Sequence, residues 1–390
     1  MPPTDFSSST FNRSILGLRR DHDPTVSPIH NHSSSTMASG SPALDNYEAD
    51  LDVFQRSIVD RFSNLPESVL SLEWILSLLD AYLCCQEEFR IILVKTRSMA
   101  QKPPLDRLMQ DFFDRSVKAL DVCNAIRHGI NQIREWKKLL AIVLSALDDR
   151  GRAIGEGQLR RAKKALIDLS ILMLDEKDMS SSASSILPHR NRSFGRNTSS
   201  SAARSAPFRS LSWSVSRSWS AARQLQALGS NLVAPKMSEV AATGGVASAV
   251  YAMGSIMLLA MWSLVAAIPC QDRGLNVHIS VPRGLIWSGV VLGIHESLLE
   301  ESRKKERRNA CGLLREIYEI ERSVGVLGEV IDSVQFPLAV EKEAEVREKV
   351  RELKSVCEWL NDGLDCLERQ IRDVFHRIVV SRSEGLDFGA

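Results

Sequence analysis

Apolar residues recur at alternating spacings of three and four along the N-terminal half of the chain, which is the period of an amphipathic α-helix. The pattern predicts an amphipathic helix over residues 44–65, ended by a proline, and a mostly buried helix over 67–95. Residues 105–149 contain no proline and predict either one long helix or two nearly collinear helices. A fourth helix is predicted over 159–176. We therefore expect an N-terminal helical bundle over residues 44–178.

The C-terminal part of the chain shows the same period in a stricter form. Residues 296–335 and 340–380 keep a 4-3-4-3 spacing of apolar side chains, and Phe336 and Pro337 supply a turn between them. The pattern predicts an antiparallel helical hairpin over 296–380, packed as in a bundle or a coiled coil. Because no strand pattern appears, the predicted fold class is all-α, an antiparallel bundle of long amphipathic helices.

A segment of different composition separates these helical regions. Between Asp178 and Glu239 there is no acidic residue, and sixteen serines lie in residues 180–220. Seven arginines accompany them: Arg190, Arg192, Arg196, Arg204, Arg209, Arg217 and Arg223. Such a segment buries too little apolar surface to offset its ordering entropy. Residues 179–239 are therefore predicted to be a disordered basic linker. Disorder is also predicted for the arm at 1–43, while residues 381–390 are expected to form a short tail.

Two tryptophans are unusual in a segment of this composition. Trp213 and Trp219 lie close to Arg217 and Arg223 in the sequence. Buried tryptophans contribute much contact area and are enriched at interfaces. We interpret these four residues as a candidate docking motif, either for a partner or for the chain's own bundle.

Three serines of the linker follow an arginine by three residues, a spacing that many basophilic kinases accept. These candidate phosphosites are Ser193, Ser212 and Ser220. Each phosphate would add between about −1.5 and −2 charge. The added charge would weaken any attraction of the linker to anionic lipid or to an acidic partner surface. The alternative is a passive spacer that is phosphorylated without effect, and the sequence leaves both open.

The linker is followed by an apolar segment, predicted over residues 240–295. The stretch from Val246 to Ile268 contains 23 residues and is apolar apart from three serines. A helix of this length crosses about 30 Å of hydrocarbon, so a transmembrane helix is one prediction. A helix buried in the bundle core is the other, because its many small residues also suit close packing. A hairpin with the second apolar run, 284–294, would insert into the membrane and keep both ends in the cytosol.

The overall charge argues against a nucleic-acid binder, and the absence of catalytic motifs argues against an enzyme. The chain has 49 lysines and arginines against 48 acidic residues, so it lacks the basic surplus of a nucleic-acid binder. It contains no P-loop, dinucleotide-binding fingerprint, nucleophile elbow or zinc-protease motif. Its seven cysteines include no C-x-x-C pair, as is typical of reduced core thiols in the cytosol. We expect a non-enzymatic cytoplasmic protein without cofactor, metal, nucleic acid or small-molecule substrate.

Several stretches resemble the plant BYPASS-related family, and most closely its ROH branch. One is Phe11-Asn-Arg-Ser-Ile-Leu-Gly-Leu-Arg-Arg, and the most specific is the tryptophan-containing stretch from Ser212 to Leu232, which the apolar segment follows. The resemblance covers nearly the whole chain. It implies a protein without enzymatic activity that binds the membrane-targeting subunit of the exocyst, the complex that tethers secretory vesicles. The family's partner-binding residues are not carried over to positions of this chain.

These observations together predict a non-enzymatic plant adaptor or regulator of exocyst-dependent secretion. We expect it to be cytoplasmic and peripherally associated with membrane, and to meet its partner through the heptad faces and the Trp/Arg linker. The alternative is a single-pass membrane protein of the BYPASS type, whose cytosolic bundle acts in developmental signalling. The two predictions differ in whether the apolar helix lies in a bilayer or in protein.

Overall fold

A computed structural model describes residues 42–147, 153–181, 220–270, 277–304 and 310–387, and within these ranges the chain forms eleven α-helices and no β-strand. The helices are α1 (Pro42–Ser63), α2 (Leu72–Lys95), α3 (Arg97–Ala100), α4 (Leu105–Ala146), α5 (Glu156–Ser181), α6 (Ala221–Gly229), α7 (Met237–Ala242), α8 (Val246–Ala267), α9 (Ser288–Arg303), α10 (Arg315–Asp332) and α11 (Val340–Asp387). The predicted all-α fold is confirmed.

Two long helices, α4 and α11, provide much of the frame. α4 is one uninterrupted helix of 42 residues, which resolves the alternative of one or two helices in this region. α11 has 48 residues and packs against α2 and α4 as well as against α10. Its apolar seam is almost completely buried, with Leu360 at 1% exposure. Because the C-terminal hairpin shares its core with α2 and α4, it is part of the same bundle.

The junction between α2 and α10 shows how the two halves are joined. The Ser71 hydroxyl oxygen accepts a hydrogen bond from the N–H of Trp74 at 3.1 Å and caps α2. A carboxylate oxygen of Glu316 accepts the N–H of Leu72 at 3.0 Å, so a residue of α10 satisfies another free donor at the same helix end. The backbone N–H of Arg315 donates to the carbonyl of Leu70 at 2.9 Å.

α8 lies at the centre of the bundle and contacts α1, α2, α4, α6, α7 and α9. Every residue of α8 except Ser248 is buried. Its apolar residues therefore continue the core that α2, α4 and α11 form.

Three features differ from the sequence-based expectations. The predicted continuous helix over 296–335 is broken, because residues between α9 and α10 bond to the end of α8. The linker predicted over 179–239 contains α6 and the first residues of α7, and apolar side chains of α6 pack against α4 and α8. The helix α11 continues into the predicted tail, where Gly385 lies against the ring of Phe113.

Candidate functional site

Most of the predicted linker site lies outside the described residues. This holds for five positions: Ser193, Ser212, Trp213, Arg217 and Trp219. Ser220 and Arg223 are described, and they lie at the start of α6. The predicted apolar segment from Val246 to Ile268 corresponds to α8 and the residue that follows it.

Ser220 is the N-terminal cap of α6. Its hydroxyl oxygen accepts a hydrogen bond from the backbone N–H of Arg223 at 3.3 Å. The side chain of Ser220 is only 5% exposed, whereas Arg223 is exposed. The sequence indicated an accessible serine in unstructured chain, but Ser220 is a buried helix cap.

α6 packs against α4 and α8 through one apolar face. Ala221, Leu225 and Leu228 lie on this face, and each is at most 1% exposed. Their spacing of four and three places them on one side of the helix. The face was overlooked in the sequence because serine and arginine dominate the preceding residues.

Close contacts hold the C-terminal end of α6 and the turn after it. Gly229 approaches Leu258 of α8, and a Cβ atom built on Gly229 would lie 3.4 Å from the Leu258 side chain. Arg115 of α4 donates from Nη2 to the carbonyl of Asn231 at 3.0 Å. Burial lowers the pKa of Arg115, and the nearby carboxylates of Asp111 and Asp114 oppose that shift.

The N-terminal end of α8 is capped within the protein. Gly245 precedes the helix with φ = 91°, a left-handed conformation that glycine adopts without strain. The Thr243 hydroxyl oxygen accepts the backbone N–H of Ala247 at 3.1 Å, and Thr243 itself is 2% exposed. A donor of the first turn therefore has a protein acceptor.

The C-terminal end of α8 is bonded to a later part of the chain. The backbone N–H groups of Leu313 and Leu314 donate to the carbonyls of Ala266 and Ala267 at 2.9 and 3.0 Å. Gly312 makes this approach possible, since a Cβ atom there would lie 2.3 Å from the Ala267 oxygen. The last carbonyl oxygens of a helix have no donor within the helix, and here N–H groups of the protein itself supply the donors.

The flank of α8 also contacts polar groups. The Tyr251 hydroxyl donates to the carbonyl of Ser280 at 2.9 Å. The ring of Trp262 lies 4.9 Å from the ring of His295, whose Nε2 is 2.9 Å from the carbonyl of Val277. Among the described residues, α8 is the one helix that is long and apolar enough to cross a membrane, and it is buried inside the protein.

The outer face of α11 carries an exposed tryptophan that the sequence reasoning missed. Trp359 is 75% exposed, although the adjacent Leu360 lies in the buried seam. An aromatic residue beside a heptad position, rather than on it, is the sequence signal that would have identified it. The apolar heptad positions of α10 and α11 are buried within the bundle and are not on the surface of the folded protein, and partner binding through the heptad faces stays a prediction.

Comparisons with known proteins identify the family. A family model described as Protein ROH1-like matches residues 1–388. Protein ROH1D of Arabidopsis thaliana is 54% identical over 398 residues, which cover 99% of this chain and 98% of that protein. Protein ROH1A of the same plant is 36% identical over 377 residues, covering 87% and 90%. The chain belongs to the ROH1-like family. No solved structure matches it.

Membership of the ROH1-like family confirms the resemblance to the ROH branch of the BYPASS-related proteins. The buried thiols of this ROH1-like protein are poor nucleophiles, because burial raises the pKa of Cys85 and of Cys123 to about 12. Burial also raises the pKa of Cys357 to about 11. Within the described ranges, no group of three or more histidine, cysteine or acidic side chains is arranged to hold a metal ion.

Proposed function

We propose that this protein is a non-enzymatic adaptor that binds the membrane-targeting subunit of the exocyst and modulates exocytosis. The partner comes from the family resemblance, and the ROH1-like match supports the proposal because the chain belongs to the branch for which the resemblance implies that partner. The observation that carries the proposal is Trp359, the most exposed aromatic side chain among the described residues. A tryptophan in that position is typical of a residue that becomes buried on binding.

The surroundings of Trp359 indicate the chemistry of the partner surface. Between Glu352 and Glu368, α11 carries five acidic residues and one cation, Lys354, and two of the five, Asp365 and Glu368, are paired with Arg134 of α4. Glu358 and Asp362 lie one and three residues from Trp359, and both are exposed. An apolar centre inside an acidic rim favours a partner surface with basic residues around an apolar pocket.

The position of α8 supports peripheral rather than single-pass membrane association. Moving α8 into a bilayer would break the hydrogen bonds from Leu313 and Leu314 to its last carbonyls. It would also remove the helix that fills the space between α2 and α4. The core would then lose a central buried helix, so we propose that membrane contact is made by the folded protein through its surface and its partner.

The test is direct binding of the full chain to the purified membrane-targeting exocyst subunit. We expect Trp359→Ala to weaken binding by at least about tenfold, as truncation of an interface tryptophan typically does. The matched control is Ile286→Ala, which truncates another exposed apolar side chain at 58% exposure. It should bind as wild type does.

Two outcomes contradict different parts of the proposal. If the wild-type chain does not bind the subunit at all, the proposed function is wrong. If it binds and Trp359→Ala binds equally well, the adaptor function stands and the α11 surface is the wrong site. Raising the salt concentration should weaken wild-type binding, because the proposed rim is acidic and the partner surface basic.

A further inference from the structure

Ser220 combines two properties that conflict in the folded protein. In the sequence it follows Arg217 by three residues, the spacing that basophilic kinases accept, and Ser193 and Ser212 have the same spacing from Arg190 and Arg209. In the structure it is the buried cap of α6. A kinase must hold the target serine and its neighbours in its own cleft, which the docked position of α6 prevents.

We infer that Ser220 is a gated phosphorylation site: it is modified only after α6 has left α4 and α8, and its phosphate then keeps α6 away from them. This inference is independent of the proposed exocyst partner. It concerns a contact inside the chain, between α6 and the apolar helix α8.

α6 has the properties of an element that opens locally. It contains nine residues, and helices this short are not stable in water without tertiary contacts. Its buried apolar residues are Ala221, Leu225 and Leu228. α6 is a separate short helix and is not continuous with a longer one. Segments with few buried apolar contacts open at lower free energy than the whole fold.

The modification is an ordinary phosphoryl transfer from ATP. The Ser220 oxygen forms a bond to the γ-phosphorus, the bond from that phosphorus to the β–γ bridging oxygen breaks, and ADP leaves. The hydroxyl proton is released to the base of the kinase. The product carries between about −1.5 and −2 charge at neutral pH.

The phosphate favours the undocked segment and disfavours the docked helix. In the undocked segment the phosphate stays in water, where its charge is solvated. Docking, however, would place the charge at a buried position beside Ala221, which is 0% exposed. Phosphorylation therefore stabilises the undocked state, in which the surface of α8 at Leu258 is uncovered.

The experiment compares the rates of phosphorylation of Ser220 and Ser212 in the full chain. A basophilic kinase and ATP are used, and mass spectrometry reports each site. A synthetic peptide spanning residues 205–224 contains both serines and gives the intrinsic preference of the kinase. In the full chain we expect the ratio of Ser220 to Ser212 rates to fall at least about tenfold below the peptide ratio, since modification follows the population of the open state.

Variants of α6 provide the matched comparison. Leu225→Asp should detach α6 and return the ratio to the peptide value, whereas Gln226→Asp, on the exposed side, should keep the wild-type ratio. The milder Leu228→Ala should give an intermediate ratio and covers the case in which Leu225→Asp fails to fold. An equal ratio in the wild-type chain and the peptide would overturn the gate.

Hydrogen exchange tests the second half of the inference. After stoichiometric phosphorylation at Ser220, amides of residues 221–229 should exchange faster, while those of the α4 core keep their protection. A phosphorylated chain whose α6 remains as protected as before would show that the phosphate does not hold α6 away.

Discussion

Gly129 of α4 lies directly against the backbone carbonyl of Pro269, which follows α8. A Cβ atom on Gly129 would lie 2.1 Å from the Pro269 oxygen and 2.6 Å from the Ile268 side chain. Neither α4 nor the backbone after α8 can move without disturbing the packing around it. The glycine therefore sets how closely the end of α8 approaches α4.

The first prediction follows from that contact. Gly129→Ala should lower the free energy of unfolding by about 1 to 3 kcal/mol, the usual range for an overpacked site, in spite of the better helix propensity of alanine. The measurement is the urea midpoint of unfolding. The control is Gly325→Ala on α10, where a Cβ atom meets nothing within 4 Å, and it should stabilise by up to about 1 kcal/mol. Equal effects of the two substitutions would contradict the close approach.

The second prediction concerns the seam of α11. Leu360→Asp places an unpaired charge at a position with 1% exposure and should destabilise the protein by several kcal/mol. Asn361→Asp introduces the same side chain at the neighbouring exposed position and should have little effect. Leu360→Ala, with an expected loss of about 2 to 5 kcal/mol, serves where the Asp variant does not fold. A Leu360→Asp protein that melts within about a degree of wild type would place Leu360 outside the core.

The third prediction is a loss of stability at alkaline pH. Burial raises the pKa of Cys123 to about 12, so the folded state keeps the thiol protonated where the unfolded chain, with a pKa of about 8.5, has ionised it. A raised folded pKa gives stability that is present below the unfolded value and is lost as pH rises toward the folded value. One thiol contributes a decrease of about 1.4 kcal/mol per pH unit in this window.

The thiol contribution can be measured by urea unfolding at several pH values between 8 and 10. Cys123→Ala should destabilise at every pH through lost packing, but its stability should fall less steeply with pH than that of wild type. The same slope in both proteins would show that Cys123 does not contribute. The matched control is Val122→Ala, which truncates a buried side chain without a titratable group and should keep the wild-type slope.

Much of the fold follows from periodicity, because burial of one face is what the three-and-four spacing records. The helical span that contains α4 and the seam around Leu360 could therefore be predicted, whereas the pattern left open whether that span is one helix or two. The break before Arg315 could not, since it depends on hydrogen bonds to the end of α8 and leaves the local pattern unchanged. The position of α8 was also undecidable, because a helix surrounded by lipid and one surrounded by protein have the same apolar composition.

The candidate site was harder to predict for a related reason. The sequence predicts a kinase-type motif at Ser220, but it does not reveal that the serine is buried. Its burial depends on the docking of Leu225 and Leu228, two apolar residues that follow a serine-rich stretch. Trp359 lies among charged residues in the sequence, and only the packing of α11 shows which side of it faces solvent.

A core helix such as α8 should be protected from hydrogen exchange in plain buffer, whereas a helix that needs lipid should not be. The full chain is purified without detergent, and exchange is followed by mass spectrometry. We expect a soluble protein in which the amides of Val246–Ala267 are as strongly protected as those of α4, because both open only on global unfolding. A chain that stays in solution only with detergent or lipid, or one whose α8 amides exchange rapidly in buffer while α4 remains protected, would contradict the account.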